Sequence, residues 1–423
     1  MGGATSGARA SWPFFPRHSP STADRKEAPI QPPPLDVRLH ESITELPQAS
    51  WDALLAEDSS PFLEWAWLAS LEEAGCISPK RGWLPRHIGV WRGDALVGAA
   101  PAYVKGNSEG EFVFDHQWAA LSERLGAEYY PKLILAVPFT PATGDRVLAA
   151  KGESREAMRA IVADAATTIA TTLGLSSAHV LFPRDEEARA FERRGFARRV
   201  GLQFQWKNRG YSTFDDFLGS FDSKRRHQLR RERRVVAEQG ITIETKRGDE
   251  IDDEVLACAY RFYLSTVDRF MWGRRYLNER FFQLIRDRLA RGRAGDLLRP
   301  KRASLEIVVA RLGGRIVGGA VNIAKNGRLY GRYWGADEQL RFLHFAVCYY
   351  HSIDECIARG FEAFEPGGGG EHKVKRGFDP TATFSAHHLR DPRLDRIVRE
   401  FLPREMEHVE RIVRGEIEDD DEE

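Results

Sequence analysis

The sequence predicts an α+β fold of two tandem domains, each a mixed sheet flanked by helices. Three observations predict it: apolar runs of strand length alternate with longer stretches of helical spacing, tight-turn dipeptides separate paired apolar runs, and the same order of elements occurs twice. At 423 residues the chain exceeds one compact core and suits two or three domains.

The first half opens with helical spacing at Phe62, Trp65, Leu68 and Leu71. Strand-like runs 87–91 and 95–104 follow, separated by Arg92-Gly93-Asp94, a hairpin signal. Next come a strand at 132–137, a helix at 153–173 stopping near Gly174, and a strand at 178–182. A short helix at 185–193 ends at Gly195 and leads to a strand at 197–206. The second half repeats the order. Helices at about 250–268 and 276–291 precede a strand at 305–311; Gly313-Gly314 turns into 315–324, and Asn326-Gly327 turns into 328–334. A helix at 342–359, ended by Gly360, feeds a strand at 361–365. The expected units are a disordered tail 1–40, domains 41–206 and 207–392, and a helix with an acidic tail over 393–423.

Composition narrows the function classes. Sixty-two basic residues balance 62 acidic ones, so nothing global favours nucleic acid or membrane, and any such contact must be local. No run of about eighteen apolar residues exists to cross a bilayer. Four scattered cysteines without a CxxC pair speak against a disulfide scaffold and a cysteine zinc site, and fit a cytoplasmic protein. HExxH, P-loop and GxGxxG signatures are absent, and no metal site is expected.

Three blocks carry a family resemblance: RRHQLRRERRVVAEQGI (225–241), GRYWGADEQLRFLHFAVCYYHSID (331–354) and FEPGGGGEHKVKRGF (364–378). With the flanking pattern, residues 45–392 resemble the Fem-like, GNAT-related "peptidoglycan biosynthesis/recognition" proteins of bacteria. The resemblance implies two GNAT-like (acyl-CoA N-acyltransferase-like) domains and a transferase forming an amide on an amine of a peptidoglycan-type precursor. It leaves open a non-catalytic muropeptide-recognition protein and an acyl-CoA-dependent N-acetyltransferase. Aminoacyl-tRNA or acyl-CoA is the implied donor. The CoA option is weakened because GADEQLRFLHF lacks the glycine-rich phosphate turn and carries Asp337 and Glu338.

In a GNAT-like half the strand–helix–strand step of 328–365 is where the sheet opens. His344, beside Tyr333 and Trp334, is the candidate general base. The family pattern has a glutamate two places later; here Ala346 stands there, leaving Asp337, Glu355 and Glu371 as carboxylates to replace it, with Glu371 the expected catalytic partner. Gly367, Gly368, Gly369 and Gly370 suit close approach to a ligand, and His372, Lys373 and Lys375 add polar and cationic groups for an anionic part of the substrate. A basic helix over 222–239 places Arg226, Arg230, Arg233 and Arg234 on one face, with Glu232 as the sole acid between them. That face suits phosphates of a tRNA or the headgroups of an anionic membrane at the protein's periphery. Aromatic and arginine residues around Trp272 form a weaker acceptor-groove candidate.

Overall fold

The computed structural model describes residues 33–269 and 275–417. The expected tail before residue 33, the acidic end after 417 and the Trp272 candidate lie outside the described residues, as does the side chain of Glu371.

The first half contributes β1 (Leu35–His40), α1 (Trp65–Glu73), β2 (Trp83–Pro85), β3 (His87–Arg92), β4 (Ala95–Ala100), β5 (Ala102–Lys105), β6 (Lys132–Leu135), β7 (Leu148–Ala149), α2 (Arg155–Thr172), β8 (Ser177–Leu181), α3 (Asp185–Glu192) and β9 (Ala197–Lys207). The second contributes α4 (Ser223–Glu238), β10 (Ile241–Arg247), α5 (Asp253–Val267), α6 (Glu279–Leu289), β11 (Ser304–Leu312), β12 (Arg315–Lys325) and β13 (Arg328–Ala336). A helix α7 follows in three parts, Leu343–Phe345, Ala346–Tyr350 and His351–Ala358; then come β14 (Ala363–Glu365), β15 (Asp379–Leu389) and α8 (Pro392–Val413).

Each half runs antiparallel strands into one parallel step, β6 beside β8 and β13 beside β14. These are mixed sheets flanked by helices, in the GNAT-like order. The halves then exchange their closing strands. β9, from the first half, pairs with β14 of the second; β15, from the second, pairs with β8 of the first; and β9 and β15 pair with each other from Asp379↔Gln205 to His387↔Ala197. The result is a ladder of eleven strands in the order β10-β11-β12-β13-β14-β9-β15-β8-β6-β5-β2, beside a four-stranded sheet β1-β3-β4-β7.

Three differences from the sequence reading have physical causes. The tail expected through residue 40 ends earlier, because Leu35–His40 docks on the open edge of β3 through backbone pairing. Most of β1 stays exposed, so no burial alternation marks it in the sequence. β15 was not legible either: its DPTATFSAHHL is polar, yet between its two ladder neighbours Thr383, Ser385, Ala386, His387 and Leu389 are buried. His387 and His179 face each other there, one ring donating to the other between Nδ1 atoms at 2.7 Å, with Ser385 and Ser177 bonded to the outer nitrogens. Burial holds both rings neutral, taking His179 down to about 3. Finally, the helix expected over 342–359 contains a π-turn at Ala346–Tyr350, a widened turn of the kind often found at functional sites.

Core packing brings α5 unusually near β13. A Cβ on Gly335 would lie 2.0 Å from the Phe262 carbonyl oxygen, so only glycine allows this helix–strand contact. At the same place Thr266 donates to the Trp334 carbonyl at 2.6 Å.

Candidate functional site

β13 and β14 pair over only three positions, Arg328↔Ala363, Leu329↔Phe364 and Tyr330↔Glu365. β13 then continues to Ala336, while the chain leaves β14 at Pro366, so the sheet opens from Gly331 onward. A bulge accompanies the opening: pairing with β12 jumps from Asn322↔Gly331 to Val321↔Tyr333, leaving Arg332 as the extra residue. The bulge changes which face side chains take. Tyr330 and Tyr333 both join the core under α5 and α6, whereas Trp334 packs with Leu343 and Val236 on the other side.

The predicted residues of the second half gather around this opening. His344 lies 4.6 Å from the Trp334 ring centre and 5.3 Å from that of Tyr349, and it makes no hydrogen bond among the described residues. Burial, with His372, Lys373 and Arg376 nearby, lowers His344 to about 4 and keeps it neutral. His372 is bonded to Tyr349 through Nε2 at 2.9 Å. The glycine loop turns its carbonyls inward: Lys373, 1% exposed, donates to Gly367 O at 2.7 Å and Gly368 O at 2.8 Å, and burial brings its ammonium down to about 8. Gly369 and Gly370 are exposed, as is Lys375. The structure therefore brings Trp334, His344, His372 and Lys373 to one strand–helix–loop junction, with the lysine already satisfied by its own loop, whereas the bulge turns Tyr333 away into the core against Tyr263 and Phe282.

The basic helix α4 is anchored by the acid that the sequence reading gave to its arginines. Glu232 turns inward, where Arg376 Nη2 bonds both of its oxygens at 3.1 and 3.0 Å and Tyr350 donates to it. Three of the four predicted anion-binding arginines have acidic partners within the chain: Arg230 with Asp215 at 3.0 Å, Arg233 with Asp354 at 3.1 Å and Arg234 with Glu238 at 3.5 Å. Arg226, Lys224 and Arg231 have no such partner among the described residues. Asp337 and Glu338, expected to repel phosphate, are paired with Arg261 and Arg315.

Sequence reasoning missed a second site on the other side of the β13–β14 step. A cavity of about 190 Å³ lies at the seam of the halves, lined by Asp58, Thr143 and Arg184 from the first, Arg328, Tyr330 and Glu365 from the second, and the exchanged strands at Gln203–Gln205 and Thr381–Thr383. Beneath it, fully buried Arg146 shapes the 142–146 loop by donating to the carbonyls of Ala142, Gly144 and Leu181. Arg184 is paired with Asp58 at 2.9 Å and Asp145 at 3.3 Å. Glu365 differs: it is half-buried on the cavity wall, and it has no hydrogen bond or ion pair among the described residues. Desolvation raises its carboxyl despite the nearby Arg332, Arg328 and Arg146. Arg332 stacks on Phe62, its carbon 4.3 Å from the ring centre, and its buried Nε and Nη2 find no partner among the described residues. The only sequence signal was Glu365-Pro366 leading into the glycines, a place where a strand end meets a loop.

Among the described residues, no group of three or more His, Cys, Asp or Glu side chains is placed to hold a metal ion, and no helix is long and apolar enough to cross a membrane.

One parallel strand–helix–strand step in each half, both within the joined eleven-stranded ladder, defines a tandem GNAT-like protein. The chain belongs to the FemAB-like family, described as peptidoglycan biosynthesis/recognition, whose profile matches residues 42–419. Among solved structures it is similar to FemX, at 12% identity and a TM-score of 0.49, covering 86% of this chain and 100% of that one. It is also similar to L-PGS from Bacillus licheniformis, at 11% identity and a TM-score of 0.46, covering 80% and 95% of the two chains. The C-terminal domain of a putative lysylphosphatidylglycerol synthetase from Agrobacterium fabrum gives 12% identity and a TM-score of 0.49 over 85% and 96%. No curated protein matches the chain.

Proposed function

We propose that this chain is a Fem-like transferase that joins an aminoacyl group to an amine of a peptidoglycan precursor, with the seam cavity as acceptor site. The observation that carries the reading is Glu365, an unpaired carboxylate raised by desolvation on the wall of the seam cavity. A carboxylate on the wall of a cavity can take the proton of an attacking amine, and desolvation strengthens it as a base. In the step, the amine nitrogen bonds to the donor's carbonyl carbon, the ester C–O bond breaks, the amine's proton passes to Glu365, and the departing oxygen takes a proton from solvent.

Family membership supports the precursor and an aminoacyl-tRNA donor. Coenzyme A fits less well, because the start of α7 has no glycine-rich turn and is entered through Phe342 in the left-handed conformation. With charged tRNA as donor, the proposed activity is cytoplasmic; the unpaired Arg226, Lys224 and Arg231 of α4 are the proposed contact for tRNA phosphates or, at the periphery, an anionic membrane. His344 is the lesser base, since an imidazole lowered to about 4 is a weak proton acceptor. A recognition protein without turnover is the second reading, favoured by the aromatic rings that fill the opening at Trp334 and His344.

The test is transfer of label from charged tRNA to a nucleotide- or lipid-linked muropeptide. Glu365→Gln is expected to lower kcat by about 10²-fold or more with little change in melting temperature, and His344→Gln by under tenfold. Binding of the muropeptide without transfer by the unmodified protein gives the second reading.

A further inference from the structure

The seam cavity presents unsatisfied charge of both signs. Arg184 is taken up by Asp58 and Asp145, and Arg146 by backbone carbonyls. What remains on the wall is one carboxylate, Glu365, and one guanidinium group without a partner among the described residues, Arg328; Arg332, stacked on Phe62, lies behind the lining. No nitrogen of either arginine comes within 4.0 Å of Glu365 among the described ion pairs. In register, Glu365 stands opposite Tyr330, two positions from Arg328, a separation of about 7 Å along a strand.

Both groups are half-buried and opposite in charge, and a ligand carrying both complementary charges can engage them together. An amine alone answers Glu365 and leaves Arg328 as it is. A simple anion answers Arg328 and meets repulsion from Glu365. Resting on the acceptor-site reading above, we infer that the amine accepted here carries its own carboxylate: the cavity takes an α-amino-acid head, ammonium against Glu365 and carboxylate against Arg328. A volume of about 190 Å³ matches such a head group better than a whole coenzyme. In a precursor peptide this selects an acceptor residue whose reactive amine and a free carboxylate share one carbon.

Calorimetry with small probes tests this without turnover. Lysine and meso-2,6-diaminopimelate carry the head; 1,5-diaminopentane lacks the carboxylate, and hexanoate lacks the amine. The two amino acids are expected to bind at least about tenfold more tightly than either truncated probe. Arg328→Met should weaken lysine about tenfold while leaving diaminopentane within about twofold, and Glu365→Gln should weaken both amines. Melting curves of each variant check that it is folded, and Arg328→Lys, which keeps the charge, should recover part of the affinity.

Equal binding of lysine and diaminopentane overturns the inference, as does unchanged lysine binding in Arg328→Met, or no saturable binding of any probe at millimolar concentration. Selective binding without any transfer activity leaves the inference standing and removes the transferase reading. Transfer to acceptors whose amine lacks a neighbouring carboxylate, at undiminished kcat/KM, does the reverse.

Discussion

Glu232→Ala is the perturbation whose cost can be worked most directly from contacts. Glu232 is 2% exposed and Arg376 6%, and the pair is joined by two bonds of 3.0–3.1 Å. Arg376 also donates from Nε to Tyr350 Oη at 3.0 Å and lies 3.4 Å above the Phe345 ring centre, so it cannot swing to water without abandoning that stack. Removing the carboxylate strands a charge in the interior, which costs about 3–5 kcal/mol. Replacing both partners, as Glu232→Leu with Arg376→Met, leaves no orphan charge and should lie within about 1–2 kcal/mol of the parent. Urea unfolding followed by tryptophan fluorescence reads both. A loss under about 1 kcal/mol in the single variant, or a double variant as unstable as the two singles added, would refute the reasoning.

Further outcomes follow from the same contacts. Because His344 falls from its ordinary 6.5 to about 4, the folded chain binds fewer protons than the unfolded one between those values. Its stabilising contribution is therefore complete above pH 6.5 and is lost as pH drops toward 4, by about 3 kcal/mol in all; His344→Phe should flatten the stability–pH curve in that window. Gly377→Ala should cost roughly 2 kcal/mol or more, since φ is +83° and the new Cβ would sit 2.7 Å from the Phe217 ring, as thermal melting would show. A fragment spanning residues 33–212 should fail to unfold cooperatively, because β8 lacks β15 and β9 lacks β14; a sharp urea transition in the fragment would contradict this.

Much of the fold was legible because hairpin chemistry is local. Asn326-Gly327 and Gly313-Gly314 turn where expected, with left-handed φ at Asn326 and at all three glycines. Helices 155–172 and 185–192 followed from periodicity and their glycine stops. Pairing between distant segments leaves no such mark. Nothing in PTATFSAHH says that it will lie between two strands of the other half, and the exchange of β9 and β15 became visible only in three dimensions. The site divides the same way. Residues close in sequence, His344 with Trp334 and Lys373 with the glycines, were brought together as expected. Arg332 and Glu365 gained their meaning from a bulge and from a seam with Arg184 and Thr143, neither of which has a sequence signature. The Glu232–Arg376 bond reversed the reading of Glu232, because a charge amid arginines reads as their partner until the helix's buried face is known.

The exchanged strands also set a timetable for synthesis. When Lys207 emerges from the ribosome, the groove beside β8 is empty, and the segment that fills it, Asp379–Leu389, has yet to be made. At roughly 5–20 residues per second the wait is roughly 10–35 s. Through that interval the nascent chain carries an unguarded hydrogen-bonding rim open to like rims on neighbouring polysomes. Slow codons between the halves would lengthen the danger, and an early holdase on the nascent N-terminal half would shorten it.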